Sequence, residues 1–334
     1  MAGEIVRADV QEVVIGAEIF GTETISAFLS KCRSDNTRKT YSNAITQLQK
    51  FFAQKGRVQP NEDSVNEFFA DLAAKKKSPS TRRLYLTVTK NYFAFVAKRG
   101  IYPDVAAEVK EEFKKGTTHK KSALTVNQAQ KLLRAVKGDD LLSLRDRAII
   151  ALALQTGVRT CEIERANIED FNPNQDGEGY LLAVTGKGHS DADATVRVAP
   201  AVVELILAYL DLRGEPDLKA PLFASTSRNI KWKKNKYGVR LSAQSVQKII
   251  KRAMIEVGIR SKDAAKDTNK KISPHSCRHF AATTAIKAGI DIREVAAMLR
   301  HTSVNITAIY LHDMQATTRR AEMAVADTLF GGAA

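Results

Sequence analysis

His275 and Arg278 stand three positions apart in the run Ser273-Pro274-His275-Ser276-Cys277-Arg278, a spacing that places an imidazole and a guanidinium on one face of a helix. Ser273 and Pro274 predict that the helix starts there, because serine caps free N–H groups and proline is tolerated in a first turn. A helix N-terminus favours anions, and a planar guanidinium beside it grips two phosphate oxygens at once. The chemistry to which this pair is suited is phosphate binding. Ile286 to Leu299 then keeps an apolar helical pattern through Ile290, Ile292, Val295 and Ala296, Arg300-His301 and Thr302-Ser303 interrupt it, and Tyr310 follows nine residues after His301. The order is helix, turn, helix, tyrosine. His279, four after His275, could share a metal with it on a helix, but no third ligand accompanies them and Cys277 faces elsewhere. His279 is read as structural, and no metal is expected.

A His-x-x-Arg pair, a later histidine and a tyrosine nine residues beyond it resemble the tyrosine recombinase, or phage integrase, family. Upstream, Thr156-Gly157-Val158-Arg159-Thr160-Cys161-Glu162-Ile163 is similar to that family's first arginine box, in which a glutamate follows the arginine by three. Between the two, Thr185-Gly186-Lys187-Gly188 resembles the β-hairpin turn that carries the family's catalytic lysine. Each element is weak alone, but all of them occur in the family's order between Leu124 and Tyr310, and an accidental match of that kind is remote. The pattern departs at Arg300, where many members have glycine before the third-box histidine.

The resemblance implies a catalytic set of Arg159, Lys187, His275, Arg278, His301 and Tyr310, with Glu162 supporting Arg159 or the turn around it. A free tyrosine has a pKa of about 10, so at pH 7 only about one Tyr310 in a thousand would be phenolate. Arg159 and Arg278 would hold the non-bridging oxygens of the scissile phosphate and stabilise the transition-state charge. His275 would take the tyrosine proton, Lys187 would protonate the departing 5′ oxygen, and His301 would donate to a phosphate oxygen. The expected product is a 3′-phosphotyrosyl link that conserves the phosphodiester energy, so neither ATP nor a cofactor is called for.

Fifty-two Lys+Arg against thirty-seven Asp+Glu leave a net charge of +15 on 334 residues. That balance is the electrostatic footprint of a nucleic-acid binder. No apolar run has the length of a membrane span or a signal h-region. Cys32, Cys161 and Cys277 are isolated and lack zinc spacing, which fits a reducing compartment. A cytoplasmic, nucleoid-associated protein without a membrane partner is the expectation.

The elements that must position these residues follow from periodicity. Residues 1–21 read as an extension and 22–103 as a four-helix bundle, with apolar positions such as Ile25, Phe28, Ile45, Leu48, Phe52, Phe68, Leu72, Val88 and Tyr92 at three- and four-residue steps. From Thr22 to Thr118 there are eighteen Lys+Arg and ten Asp+Glu, so about half of the net charge lies here. Arg38, Lys39, Lys75, Lys76, Lys77, Arg82 and Arg83 gather at helix starts and loops. A charge run is ordinarily a solvated face, but beside a recombinase-like half these residues are read as DNA contacts. The bundle resembles the family's core-binding domain, one side of a clamp on the duplex.

Residues 104–123 read as a short helical stretch and an exposed linker. Residues 124–334 read as the catalytic domain, opened by a Thr125/Gln128 capping box. Within it Leu141 to Thr156 reads as a buried helix ended by Gly157, and strand-like runs follow at 168–171, 179–185 and 194–198. Lys231, Lys233, Lys234, Lys236 and Arg240, interleaved with Trp232 and Tyr237, read as a phosphate-tracking loop. Met323 to Phe330 is expected to be a terminal helix, which in the family often packs on a neighbouring subunit. The expected fold is mainly α with a small antiparallel β-sheet in the C-terminal domain: a helical core-binding bundle followed by a mixed α+β catalytic domain. Three functions share these features. They are site-specific recombination by a homotetramer on double-stranded DNA with an inverted-repeat core, relaxation of supercoils by a type IB topoisomerase, and non-enzymatic DNA binding. Intact boxes disfavour the last, and the small N-terminal bundle with family-like box spacing favours the first.

Overall fold

A computed structural model describes residues 18–57, 59–111, 122–186, 192–214, 217–225, 239–263, 267–269, 272–301, 303, 304 and 307. The chain divides into two units, Met1–Thr117 and Thr118–Ala334.

Short polar side chains start the helices of the first unit. Helices α1 (Thr22–Leu29), α2 (Asp35–Gln54), α3 (Glu62–Ala74) and α4 (Pro79–Lys98) follow one another. Ser34 accepts from Thr37 N at the head of α2, Asn61 and Ser64 form a reciprocal capping box on α3, and Ser78 accepts from Thr81 N ahead of Pro79 on α4. Each such cap is worth about 1 kcal/mol, but the larger driving force is aromatic burial. Phe28 meets Tyr92 edge-on with ring centroids 5.1 Å apart, Phe51 lies 5.4 Å from Phe68, and Phe52, Phe93 and Val96 are almost wholly enclosed. A fully buried ring of this kind contributes about 1.5–3 kcal/mol.

The second unit is built around one helix. After α5 (Val126–Leu133), α6 (Leu141–Thr156) has no continuous polar face: its charged Arg145 and Asp146 are buried, and so are all of Ala148 to Leu154. A helix without a polar face belongs inside. Accordingly α6 packs against α5, α8 (Pro200–Arg213), α9 (Ala243–Glu256), α10 (Ser276–Lys287) and the edge strand of a small sheet. That sheet has the antiparallel order β1 (Phe171–Pro173), β2 (Tyr180–Val184), β3 (Ala194–Val198). Leu182 is the register partner of both Phe171 and Val196, and alternate residues Leu182, Val184, Val196 and Val198 face the core. A two-residue pair, β4 (Ala224–Ser225) and β5 (Val239–Arg240), completes the strands described. The short α7 (Thr160–Arg165) follows α6, and α11 (Ile292–Leu299) follows α10.

Sequence and fold part company in three places. Ile19 is fully buried and its carbonyl accepts from the Tyr92 hydroxyl, so the end of the expected extension is tied into the bundle. Residues 104–111 hold no helix, and Ala106 and Val109 pack into the bundle core while Lys90 Nζ donates to Ala107 O. Buried apolar side chains, rather than helical periodicity, fix that stretch. Ile168–Asp170 is a 3-10 turn stabilised by Asp170 accepting from Asn167 N, and the strand begins only at Phe171. Among the described residues no helix is long and apolar enough to cross a membrane.

Candidate active site

Arg159 sits at a point that its neighbours dictate. Gly157 ends α6 with φ +64°, the left-handed conformation that favours glycine. A Cβ there would lie 2.9 Å from Leu299 Cδ2 and 3.3 Å from Ala281 Cβ, so the turn lies against both α10 and α11. Two residues on, Arg159 is extended and caps α7. Glu162 folds back from the first turn of α7, accepting from Arg159 N at 2.7 Å and from Arg159 Nη1 at 2.8 Å.

Arg278 joins this turn to the second and third boxes. It is 2% exposed, in the first turn of α10, and its Nη1 donates to Gly157 O at 2.7 Å while its Nη2 donates to Leu299 O. The helix start differs from the sequence expectation. Ser273 does not cap; instead Ser276 Oγ accepts from Ser273 N at 3.1 Å, and His275 occupies the capping position in a turn that leads into Ser276. Ser273 O in turn accepts from Ser276 N at 2.7 Å, so the two serines close a turn ahead of the helix, and among the described residues no side chain caps its first N–H groups. The His275 ring lies edge-on to the buried His279 ring, centroids 5.0 Å apart. Beside them Cys277 is enclosed, and burial pushes its thiol up to about 12, so it is an inert core side chain.

The third box arrives through a backbone conformation rare for a side-chain-bearing residue. α11 ends at Leu299, Arg300 is left-handed with φ +54°, and His301 N donates to Ala296 O at 3.0 Å. His301 Nδ1 is paired with Thr307 Oγ1 at 2.7 Å. Burial, then the charges of Arg278, Arg159, Arg300 and His275, lower the His301 pKa to about 4. Those four groups come from three boxes, and the charge of each acts on one imidazole. His301 is therefore neutral at neutral pH, with one ring N–H to donate.

Arg300 returns to the first box: its Nη2 lies 2.6 Å from Glu162 Oε2 and its Nε 3.3 Å from Oε1. Glu162 is 1% exposed. Burial alone would raise its pKa, but the Arg300 bonds and charge, followed by the Arg159 bonds, outweigh burial and hold the carboxyl below its ordinary value.

Lys187 and Tyr310 lie outside the described residues, as do Lys231, Lys233, Lys234, Lys236 and the expected terminal helix. The root of the Lys187 turn is described. Gly186 N donates to Asp193 Oδ1 at 2.6 Å, and Arg165, at the end of α7, donates to Gly186 O at 2.5 Å and to Thr185 O at 3.3 Å. One short helix thus presents Arg159 at its start and holds the hairpin root from its end.

The sequence model of the phage integrase family matches residues 122–317, more than half of the chain, and that of the phage integrase N-terminal SAM-like domain matches residues 23–102. The chain belongs to the phage integrase family. It is thus a tyrosine recombinase, an enzyme of DNA recombination. It is 30% identical over 285 residues to the tyrosine recombinase XerD of Bifidobacterium longum, covering 83% of this chain and 86% of that one. It is 28% identical to the tyrosine recombinase XerC of Thermodesulfovibrio yellowstonii, covering 85% and 88%. Among solved structures, the XerH site-specific recombinase in its post-cleavage complex with a palindromic difH substrate superposes with a TM-score of 0.66 at 20% identity, covering 85% of this chain and 78% of that one. A λ integrase fragment bound as a dimer to a core site gives 0.60 at 16% identity, covering 85% and 96%. These likenesses place the recombinase in the family's fold.

Of the remaining sequence candidates, Lys39, Lys76, Lys77 and Arg83 are exposed. Arg38 and Lys75 are exposed but paired with Asp35 at 2.9 Å and Asp71 at 2.7 Å. Arg82 is paired with Glu111. Arg240 is exposed, and its guanidinium donates to Glu164 O at 2.7 Å, Ala166 O at 3.2 Å and Asn167 Oδ1 at 2.5 Å, tying β5 to the end of α7. In the sequence Arg300 stands out only as a departure from glycine, and Arg165 not at all. The one available signal was the charge itself, an arginine placed where a helix ends.

Proposed function

We propose that this recombinase cuts and rejoins double-stranded DNA at an inverted-repeat core site. In this reading Tyr310 Oη attacks the scissile phosphorus, the bond from phosphorus to the 5′ oxygen breaks, and a 3′-phosphotyrosyl link forms. His275 takes the tyrosine proton and Lys187 supplies the proton that leaves on the 5′-hydroxyl. Arg159 and Arg278 hold the non-bridging oxygens as charge builds on them, and His301 donates its single N–H to one of these. Attack by the 5′-hydroxyl of another strand reverses the step and reseals the backbone, and two such exchanges pass through a Holliday junction. Phosphodiester energy is kept in the covalent link, so the cycle is isoenergetic without ATP. A homotetramer on DNA, with the terminal helix of each subunit packed on its neighbour, would bring four such sites together.

The observation that supports this most directly is that Arg278 bonds both Gly157 O and Leu299 O, which brings the Arg159 turn, the start of α10 and the His301 turn together. Cations from separate parts of the sequence are held around one point by a buried carboxylate and two backbone carbonyls, which suits a pentacovalent phosphate. The basic balance of the sequence and the DNA-bound state of XerH and λ integrase favour duplex DNA as the partner. The test is to incubate the protein with fragmented genomic duplex, recover the DNA that survives protein denaturation as a covalent adduct, and sequence it. A shared inverted-repeat core is expected. Adducts scattered without a common sequence would instead select a topoisomerase, and the absence of adducts would reject strand cleavage.

A further inference from the structure

Arg300 occupies a conformation that costs a side-chain-bearing residue about 1–2 kcal/mol, at a helix end where glycine would cost nothing. Such a residue persists where its side chain compensates the strain. Here the compensation is visible. The Arg300 side chain is 11% exposed and its guanidinium reaches both oxygens of Glu162, whose side chain is 0% exposed, while its Nη1 donates to Met298 O at 2.8 Å. The same carboxylate orients Arg159 through the backbone N and Nη1. Next in the chain is His301.

We propose that Arg300 is a positioning residue that locks the His301 turn to the Arg159 turn through the shared buried carboxylate of Glu162, so that the two phosphate-facing groups are set as one unit. The proposal rests on the strand-cleavage reading above. It follows from geometry: a Glu162 oxygen that bonds Arg159 Nη1 also faces Arg300 Nε, and one that bonds Arg159 N also bonds Arg300 Nη2. Glycine at 300 would keep the backbone turn and remove that link together with the Arg300 Nη1 bond to Met298 O. Among the described residues Glu162 would then retain Arg159 as its cationic partner, and the His301 turn would lose its side-chain tether to α7.

The test uses the full chain and the variants Arg300→Gly, Arg300→Lys, Glu162→Gln and the double variant Arg300→Gly/Glu162→Gln. Covalent trapping on the duplex recovered from the adducts should be slowed roughly tenfold to a hundredfold by Arg300→Gly, the scale expected when a reacting group is misplaced by a fraction of an ångström to an ångström. Arg300→Lys should recover part of the rate, because it keeps the charge but not the two-pronged grip. The double variant should be no slower than the slower single variant, since both changes cut the same link. A second readout needs no DNA. His301, followed by imidazole NMR, faces Arg278, Arg159, Arg300 and His275, and Arg300→Gly removes one of those charges, so its titration midpoint should rise. Rates and midpoint equal to the unmodified protein, or additive losses in the double variant, would overturn the coupling. A raised midpoint in a protein that forms no adducts at all would leave the coupling standing and defeat the cleavage reading instead.

Discussion

Arg278 Nη1 donates to the carbonyl oxygen of Gly157 across 2.7 Å, joining residues 121 positions apart in sequence. The bond does more than bury a charge. It fixes the left-handed turn that aims Arg159, while the second arm of the same guanidinium holds Leu299 O just ahead of Arg300 and His301. One arginine thereby sets the spacing of three sequence boxes. The same group is assigned to the scissile phosphate, so its positioning and its chemistry cannot be separated by simple deletion.

Gly157→Ala is expected to destabilise the second unit by about 2–5 kcal/mol. The left-handed conformation costs about 1–2 kcal/mol for a residue with a Cβ, and the new methyl would stand 2.9 Å from Leu299 Cδ2, an overpacking worth about 1–3 kcal/mol. Urea denaturation followed by circular dichroism measures it. A midpoint unchanged from the unmodified protein would show that the turn relaxes without cost.

Tyr310→Phe and Arg278→Ala should part company in two assays. Loss of a phenol oxygen removes covalent attachment and leaves duplex affinity and melting temperature nearly unchanged. Loss of Arg278 should remove attachment and also lower stability by about 2–5 kcal/mol, because two buried carbonyls lose their donor. Persistent denaturation-resistant adducts with the phenylalanine variant would exclude Tyr310 as the nucleophile, and an unchanged melting temperature for Arg278→Ala would exclude its bracing role.

His301 predicts a pH dependence with a definite sign. Its folded-state pKa of about 4 lies below the ordinary value of about 6.5, so the unfolded chain takes up a proton first as the solution is acidified. Stability should therefore fall with pH from about 6.5 to 4 and level off below, by linkage. The comparison protein is His301→Gln, which lacks this titration but keeps the carboxylates. The stability difference between the two should change across that window; a constant difference would mean that His301 titrates alike in both states.

Much of this was legible before any coordinates. The α6 helix declared itself through the apolar run Ala148 to Leu154, and β3 fell within its expected bounds, because burial on all sides and strict alternation leave clear marks. Gly157 was legible as a helix stop because glycine tolerates the left-handed conformation that ends a helix. The buried stretch around Ala106 and Val109 was not, since two apolar residues in an irregular segment carry no period. Nor could spacing reveal the link from Glu162 to Arg300, 138 positions away in sequence. The requirement at Gly186 was likewise hidden: its closeness to Asp193 comes from the fold, and its φ is not left-handed.

That closeness makes Gly186→Ala informative. A Cβ would fall 2.7 Å from Asp193 Oδ2 and push the carboxylate off the Gly186 N–H that it accepts from at 2.6 Å. The hairpin root should loosen where Lys187 leaves it. Covalent trapping is expected to slow, with melting temperature lowered by only a few degrees, as for a change of about 1 kcal/mol in a domain of this size. Normal trapping rates would show that the Asp193 bond does not govern the turn.

Lys187 and the arginines can be told apart by the atom that each serves. If Lys187 protonates the departing 5′ oxygen, Lys187→Ala should cleave ordinary DNA slowly, by roughly a hundredfold to ten-thousandfold for a lost general acid. A substrate with sulfur at the 5′ bridging position leaves as a thiolate that hardly needs a proton, so cleavage by the variant should recover. Arg159→Ala and Arg278→Ala act on the non-bridging oxygens, where charge accumulates whatever the leaving group, and should gain far less. Gly186→Ala, if it acts through the hairpin, should behave as a weaker form of Lys187→Ala and be rescued with it. Rates of covalent adduct formation on the two substrates, measured for all four variants, decide the matter. Equal rescue of every variant, or none for Lys187→Ala, would take the general-acid role away from Lys187 and reduce it to a backbone contact.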